Sequence, residues 1–248
     1  MKSFFKRFMP RIFLDSIRHA KKIFLEKNFF KSYSQEGEDM ILNRIFGNKA
    51  NGFFVDVGAH HPHRFSNTYF FYKKGWRGIN IEPNPDALKA FQRYRARDKN
   101  LQLGVADIAA SLTYYSFDEP ALNTFDEDLV NVRLATTPYK LKATSKIMVE
   151  RLDQILEKHL EKNTHIDFLS IDVEGLDFAV LKSNDWARFR PTLVLVEALQ
   201  NSFEDVMLGE VFQFMKKHQY ELFAKTFNTL IFREKRLFSL VEKDGVSD

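Results

Sequence analysis

The chain has 248 residues, of which 44% are hydrophobic, 26 are Phe and none is Cys. That length and apolar content suit one principal domain with at most a small appendage, and they exclude a disordered tail, a disulfide scaffold and any thiolate metal centre. The net charge of +4 is unevenly held: residues 1–30 carry eight Lys and Arg against Asp15 and Glu26, a net of +6, so the rest sums to −2, which argues against a nucleic-acid-binding body.

In the first thirty residues, Phe5, Phe8, Met9, Ile12, Ile17, Ala20 and Phe24 recur at helical spacing with Lys and Arg between them. The pattern predicts a basic amphipathic segment over 1–31, broken or started at Pro10, ahead of a domain over 32–248. Charges interrupt it too often for a secretory signal, and no run in the chain reaches the roughly 18 apolar residues of a spanning helix. Two readings stay open: a helix lying on anionic lipid, giving peripheral contact with the inner face of the membrane, or one packed on its own domain or on a second copy. Without Cys or a signal, the expected compartment is the cytoplasm.

Next comes "YSQEGEDMIL" (33–42), where Glu36, Glu38 and Asp39 read as a solvated helix start. From residue 52 short apolar runs alternate with amphipathic ones. The runs at 52–58, 77–82, 101–106, 166–173 and 192–197 predict buried parallel strands, and helical patterns fall at about 66–74, 84–97, 151–162, 176–184 and 204–218. Residues 118–143 are polar and weakly patterned, which predicts a long loop over the site. The runs at 220–226 and 228–234 are joined by almost nothing and predict an antiparallel hairpin. The whole reads as a doubly wound α/β sheet finished by that hairpin.

Ligands of such sheets lie beyond the carboxyl ends of the strands. Each predicted central strand ends in an acid there: Asp56, Glu82, Asp107, Asp172 with Glu174, and Glu197. A lone acid is commonly a helix cap, but five together predict an anionic pocket for a cationic ligand. Glu82 follows the first glycine loop at the distance of a carboxylate that holds two vicinal ribose hydroxyls. That first loop, "FFVDVGAHHP" (53–62), has one glycine, then histidines and a proline with no amide to donate. A pyrophosphate needs several close-approach glycines, so the loop suits an adenosine-type ligand that has a positive centre and no phosphate.

Asp172 and Glu174 lie two apart at a strand end and face the same way, with Glu197 on the next strand. They suit a general base, or ligands to a divalent cation that lowers an alcohol's pKa. His60, His61 and His63 cannot easily converge on a metal around Pro62; an imidazole base at His60 or His61 is the stronger alternative.

The motifs "VDVGA", "NIEPNP", "GVAD" and "LSIDVEGLD", in this order, resemble those of class I S-adenosylmethionine-dependent methyltransferases. More narrowly, "YSQEGEDMIL", "SNTYFFYKKGWRGINIEPNP", "ALNTF" and "DVEGLDFAVLKS" resemble the FkbM family of O-methyltransferases over residues 32–233. The resemblance implies a Rossmann-like, mostly parallel seven-stranded sheet. It implies methyl transfer from S-adenosylmethionine to a hydroxyl, with a saccharide or glycolipid intermediate as the expected acceptor. Asp56, Gly58 and Ala59 would border the methionine and ribose, Glu82 with Pro83 the ribose, and Asp107 the adenine amine, with Asp172 beside the cofactor. The first loop departs from the family's common GANxG form, so either Asn67 or His60 would meet the cofactor's carboxylate. Catalysis would fall to Asp172, Glu174, Glu197 or His60, with a divalent cation, if used, on the three carboxylates. The expected partners are a hydroxyl-bearing small molecule or glycan and a further copy of the chain, and no nucleic acid. A non-catalytic binding module of the same fold is the main alternative; an NAD-dependent oxidoreductase is weaker, since two glycines are missing.

Overall fold

The computed structural model describes residues 15–16, 30–199 and 202–235. The chain divides into units 1–31 and 32–248. The expectations for the leader, membrane contact included, fall almost wholly outside the described residues, and the second unit is described here. Among the described residues no helix is long and apolar enough to cross a membrane.

The first helix, α1 (Glu38–Phe46), leads into β1 (Phe53–Val57), α2 (Tyr69–Lys73), β2 (Arg77–Ile81), α3 (Pro85–Tyr94) and β3 (Lys99–Leu101). A short β4 (Gly104–Val105), β5 (Ala110–Phe117), a 3₁₀ turn at Pro120–Leu122, α4 (Glu127–Thr136) and β6 (Leu141–Glu150) follow. The chain returns through α5 (Leu152–His159), β7 (Phe168–Ile171), α6 (Asp177–Lys182) and β8 (Leu193–Glu197). It then runs through α7 (Phe203–Leu208), α8 (Glu210–Lys217), β9 (Tyr220–Lys225) and β10 (Thr229–Glu234). The main sheet has the order β3-β2-β1-β7-β8-β10-β9, parallel except where β10 meets β8 and β9. Seven strands and the antiparallel ending are as the sequence pattern predicts.

Because side chains alternate along a strand, each face of the sheet is a separate core. Val55, Val57, Ile79, Ile81, Leu169 and Ile171 pack with Leu152, Ile155, Val180 and Met215 on one face. Phe54, Phe168, Leu193 and Leu195 pack with Leu42, Phe71 and Trp76 on the other. On the second face aromatic rings meet directly: the Phe71 ring lies 4.7 Å from Trp76 and 5.1 Å from Phe168, centroid to centroid, within the range where aromatic pairs add to simple burial.

Two expectations fail. Residues 101–106 are not one strand: β3 ends at Leu101, and Gly104–Val105 pairs with β6 in a separate sheet of order β4-β6-β5. Residues 118–143 are not an open loop. Asp126 caps α4 by accepting the amides of Asp128 and Leu129 at 2.9 and 3.1 Å, and β6 starts at Leu141. The sequence hides α4 because its apolar residues circle the helix: Val130 is buried while Val132 and Leu134 are exposed. It hides β6 because most of that strand is exposed and therefore polar.

A fully buried guanidinium ties the core to the sheet end. Arg95 donates to Asp98 Oδ2 at 2.8 Å, to the Pro62 carbonyl at 3.2 Å and to Thr68 Oγ1 at 3.0 Å. Thr68 in turn donates to Asp56 at 2.8 Å, and Asp98 also accepts from Gly78 N and Asn80. Removing one partner of such a pair leaves a buried charge uncompensated. Arg95→Met is therefore expected to cost about 3 kcal/mol, read as a fall in melting temperature of roughly 6 to 12 °C for a domain of this size. An unchanged melting temperature would remove the network from any role in stability.

Candidate active site

The strand order reverses between β1 and β7, which is where doubly wound sheets bind ligands. A cavity open to solvent lies there. Of the residues expected to bind or act, Asp56, Gly58, Ala59, His60, Asn67, Glu82, Pro83, Asp172 and Glu174 line it. Glu197 lines an adjoining recess that shares Asp172 with the cavity.

Gly58 fixes how β1 meets β7. Its φ is +78°, and a Cβ built there would lie 2.7 Å from the Asp172 carbonyl carbon and closer still to its oxygen. The Gly58 and Ala59 amides both donate to the Ile81 carbonyl, at 3.0 and 3.2 Å, and the Asp172 amide donates to Val57 O at 3.0 Å. The loop is thus closed against both neighbouring strands, with room for backbone only.

Each residue of "EPNP" (82–85) has a local task. Asn84 caps α3 by accepting the Asp86 amide at 3.0 Å, and Pro85 takes the first helical position, where no amide is needed. Glu82 accepts the Asn84 amide on one oxygen and the His60 amide on the other, both at 2.8 Å. Two fixed amides aim the carboxylate and leave further lone pairs on each oxygen for the cavity. Burial nevertheless lifts Glu82 to about 7, partly countered by those amides. Burial likewise lifts Asp56 to about 6, against the lowering effect of Thr68 and Arg95.

The histidines separate by role. His61 Nδ1 accepts the amides of His63 and Arg64 at 3.1 and 3.0 Å, so it holds the turn. His63 packs edge-on against Tyr69 and Tyr94. Only His60 reaches the cavity, and its Nε2 is buried there without a partner. Burial pushes the imidazole down to about 4, so at neutral pH it is uncharged and a weak base. Among the described non-glycine residues five have positive φ, and three of them, His60, Phe65 and Glu174, line the cavity. Backbone strain is therefore concentrated where a ligand would sit.

At the end of β7, Asp177 rather than Glu174 fixes the "DVEG" turn, accepting the amides of Val173 and Gly175 at 3.1 and 3.2 Å. Glu174 is paired with Arg133 of α4, and its carbonyl accepts Thr124 Oγ1 at 2.6 Å. Carboxylate oxygens of Asp172, Glu174 and Glu197 all lie within 4.8 Å of one another. Such a trio could hold a divalent cation, though Glu174 would have to share its charge with Arg133. Asp172 lies deep in the fold with its side chain on the open cavity wall, so solvent still reaches it. The surrounding protein and then repulsion from Glu197 and Glu174 raise its pKa. Burial, then Glu174 and Asp177, lifts Glu197 to about 8.

Asp107 stands apart. Because β4 leaves the main sheet, its carboxylate does not line the cavity and pairs instead with Lys182 at 3.2 Å, which gives the expected adenine contact no support. Part of the cavity wall comes from residues to which the sequence reading assigned no role: Tyr114 of β5, and Asn123 and Phe125 from the "ALNTF" stretch. Glu38 and Asp39 are buried rather than solvated; Asp39 accepts from Ser32, Ser34 and the Tyr33 amide.

The strand order, the antiparallel final hairpin and the acids at the switch point define a class I methyltransferase fold. Residues 56–222, more than half of the chain, match the family described as the methyltransferase FkbM domain, and the chain belongs to that family. No curated protein matches it. Among solved structures it is similar to a TehB-like SAM-dependent methyltransferase from Corynebacterium glutamicum, at 10% identity and a TM-score of 0.37, over 92% of this chain and 100% of that one. It is also similar to the 1,6-didemethyltoxoflavin-N1-methyltransferase of Burkholderia thailandensis, a structure with bound 1,6-didemethyltoxoflavin and S-adenosylhomocysteine, at 10% identity and a TM-score of 0.41, over 90% and 86%. The C-terminal domain of precorrin-6Y C5,15-methyltransferase from Rhodobacter capsulatus shows 13% identity and a TM-score of 0.37, over 84% and 90%.

Proposed function

We propose that this protein transfers a methyl group from S-adenosylmethionine to a hydroxyl of a saccharide or glycolipid intermediate. The observation that carries the reading is the cavity at the switch point, walled by Glu82, Asp56 and Asp172. Three carboxylates suit a cation and repel a pyrophosphate, and the unpartnered His60 Nε2 offers a further polar contact. Bound there, S-adenosylmethionine supplies the methyl group and leaves as S-adenosylhomocysteine.

The chain's own residues supply orientation and a place for the proton. Glu82, aimed by its two amides, holds the ribose diol, and Gly58 keeps the ends of β1 and β7 in contact. Asn67, whose Nδ2 donates to Ser170 at 3.0 Å, is well placed to orient the amino-acid end. The hydroxyl oxygen of the acceptor forms the new bond to carbon, and its proton passes to the ionised member of the Asp172–Glu197 pair. Burial and mutual repulsion raise both carboxyls, which makes either a stronger base once ionised. Glu174, matched by Arg133, positions rather than reacts.

Calorimetry tests this directly. S-adenosylmethionine is expected to bind with a dissociation constant in the micromolar range, and NADH not at all. Absence of heat with S-adenosylmethionine at high micromolar concentration, or tight NADH binding, would refute the assignment.

A further inference from the structure

The main-chain donors next to Glu82 are already committed. The His60 and Asn84 amides go to its carboxylate, its own amide donates to Leu101 O at 3.0 Å, and the Gly58 and Ala59 amides go to Ile81 O. Residue 83 is a proline and has no amide to offer. From Glu82 toward β4 the cavity wall is formed by Leu103, Gly104, Val105, Tyr114, Asn123 and Phe125. Of these six, only Tyr114 and Asn123 carry side chains that hydrogen-bond.

The fold sets these two side by side. Tyr115 N donates to Thr124 O at 2.8 Å and Thr124 N to Tyr115 O at 3.1 Å, which lays the "ALNTF" stretch antiparallel on β5. The Asn123 oxygen accepts the Phe117 amide at 2.8 Å, so its amide nitrogen is the group left to meet the Tyr114 hydroxyl. A donor there stabilises the phenolate, and Asn123 does pull the phenol down. Burial first, and then the Glu82 charge, push it up by more than that, so Tyr114 keeps its proton. Tyr114 is 4% exposed, and with its oxygen accepting from Asn123 its O–H is left to donate into the cavity. Phe125, whose ring centroid lies 4.9 Å from that of Tyr114, packs on β4 at Gly104, where a Cβ would come within 2.7 Å of the ring.

We propose that Tyr114 reads the base of the cofactor: its hydroxyl donates to the purine N3, while Leu103, Val105 and Phe125 cover the ring. The inference rests on the methyl-transfer reading and adds the residue that makes the site selective for the base. Once Glu82 holds the two ribose hydroxyls, the ring nitrogen on the ribose side is N3, an acceptor without a proton of its own. The phenol is the donor beside Glu82 that the fold has left unspent.

Calorimetry with S-adenosylhomocysteine and its 3-deaza and 7-deaza analogues, at a pH where all three bases are uncharged, tests the inference. The parent protein is expected to bind the 3-deaza analogue roughly 10- to 100-fold more weakly than S-adenosylhomocysteine, because a C–H replaces the acceptor and leaves a buried O–H unpaired. The 7-deaza analogue, which keeps N3, is expected to bind within about threefold of S-adenosylhomocysteine. Tyr114→Phe is expected to bind S-adenosylhomocysteine about tenfold more weakly than the parent does and to take the 3-deaza analogue equally well. A merely structural role for the ring would not remove that discrimination. Tyr114→Met, also without the hydroxyl, takes its place if the Phe variant does not melt cooperatively. The inference falls if the parent binds the 3-deaza analogue as tightly as S-adenosylhomocysteine, if the 7-deaza analogue shows the larger loss, or if a folded Tyr114 variant still discriminates. Failure of all three nucleosides to bind would instead refute the methyl-transfer reading on which it rests.

Discussion

Gly58→Ala is expected to abolish S-adenosylmethionine binding and to lower stability by more than about 4 kcal/mol, the range reached only by a short list of mechanisms. Two of them coincide here. At φ +78° any Cβ adds roughly 1 to 2 kcal/mol of local strain. The larger part is steric: the new atom would overlap the Asp172 carbonyl, which is backbone in a residue whose own amide donates to Val57 O. Relief requires the ends of β1 and β7 to separate, which pulls Asp172 from the cavity and breaks the continuous core of Val57 and Ile171. Differential scanning calorimetry should register a fall of roughly 8 to 16 °C with no recovery on adding S-adenosylmethionine. A variant that melts and binds like the parent would mean that the two strand ends are not packed as described.

The second large effect is on affinity. Glu82→Ala is expected to weaken S-adenosylmethionine binding about 100-fold, since two hydroxyl-to-carboxylate hydrogen bonds are lost, together worth on the order of 3 kcal/mol. The same carboxylate gives binding a pH dependence whose sign follows from its pKa. Empty, Glu82 titrates at about 7; a cation and two hydroxyl donors favour the ionised form, so binding expels the proton. Affinity should therefore rise with pH and level off above 8, with about a tenfold loss between pH 8 and pH 6 from this group alone. Stability of the empty protein runs the other way. The folded state holds the Glu82 proton more tightly than the unfolded chain, whose value is near 4.5, so this contribution is lost as pH rises through 7. Titration calorimetry in buffers of different ionisation heat would count the protons released; pH-independent affinity with none released would sink the argument.

Much of the frame is legible in the chain because buried parallel strands are continuous apolar runs, and the residue that ends each run marks the ligand edge. Asp56, Glu82, Asp172 and Glu197 were readable for that reason. Asp107 lies off the cavity lining because Gly104 and Val105, as apolar as a central strand, pair in the small sheet; nothing local distinguishes the two. Arg133 was invisible because its partner lies 41 residues away and its helix has no apolar stripe to orient it. Glu38 looked like a surface charge because its partners, Thr226 and Thr229, lie almost at the other end of the chain. The histidines show the reverse: a conspicuous cluster in sequence resolves into one turn-former, one aromatic contact and one cavity group.

The order β2-β1-β7-β8 has a consequence for how such a protein could change. Neighbouring strands stand about 4.8 Å apart, so Glu82, Gly58, Asp172 and Glu197 occupy four consecutive rungs spanning roughly 14 Å. That span is set by backbone hydrogen bonds and cannot be lengthened by exchanging side chains. The sheet thus acts as a gauge of fixed length for whatever lies across it. Novelty in what is modified has to come from the edges that are not part of the gauge, the 120–122 turn and the 226–229 turn, where insertion and substitution leave the rungs untouched.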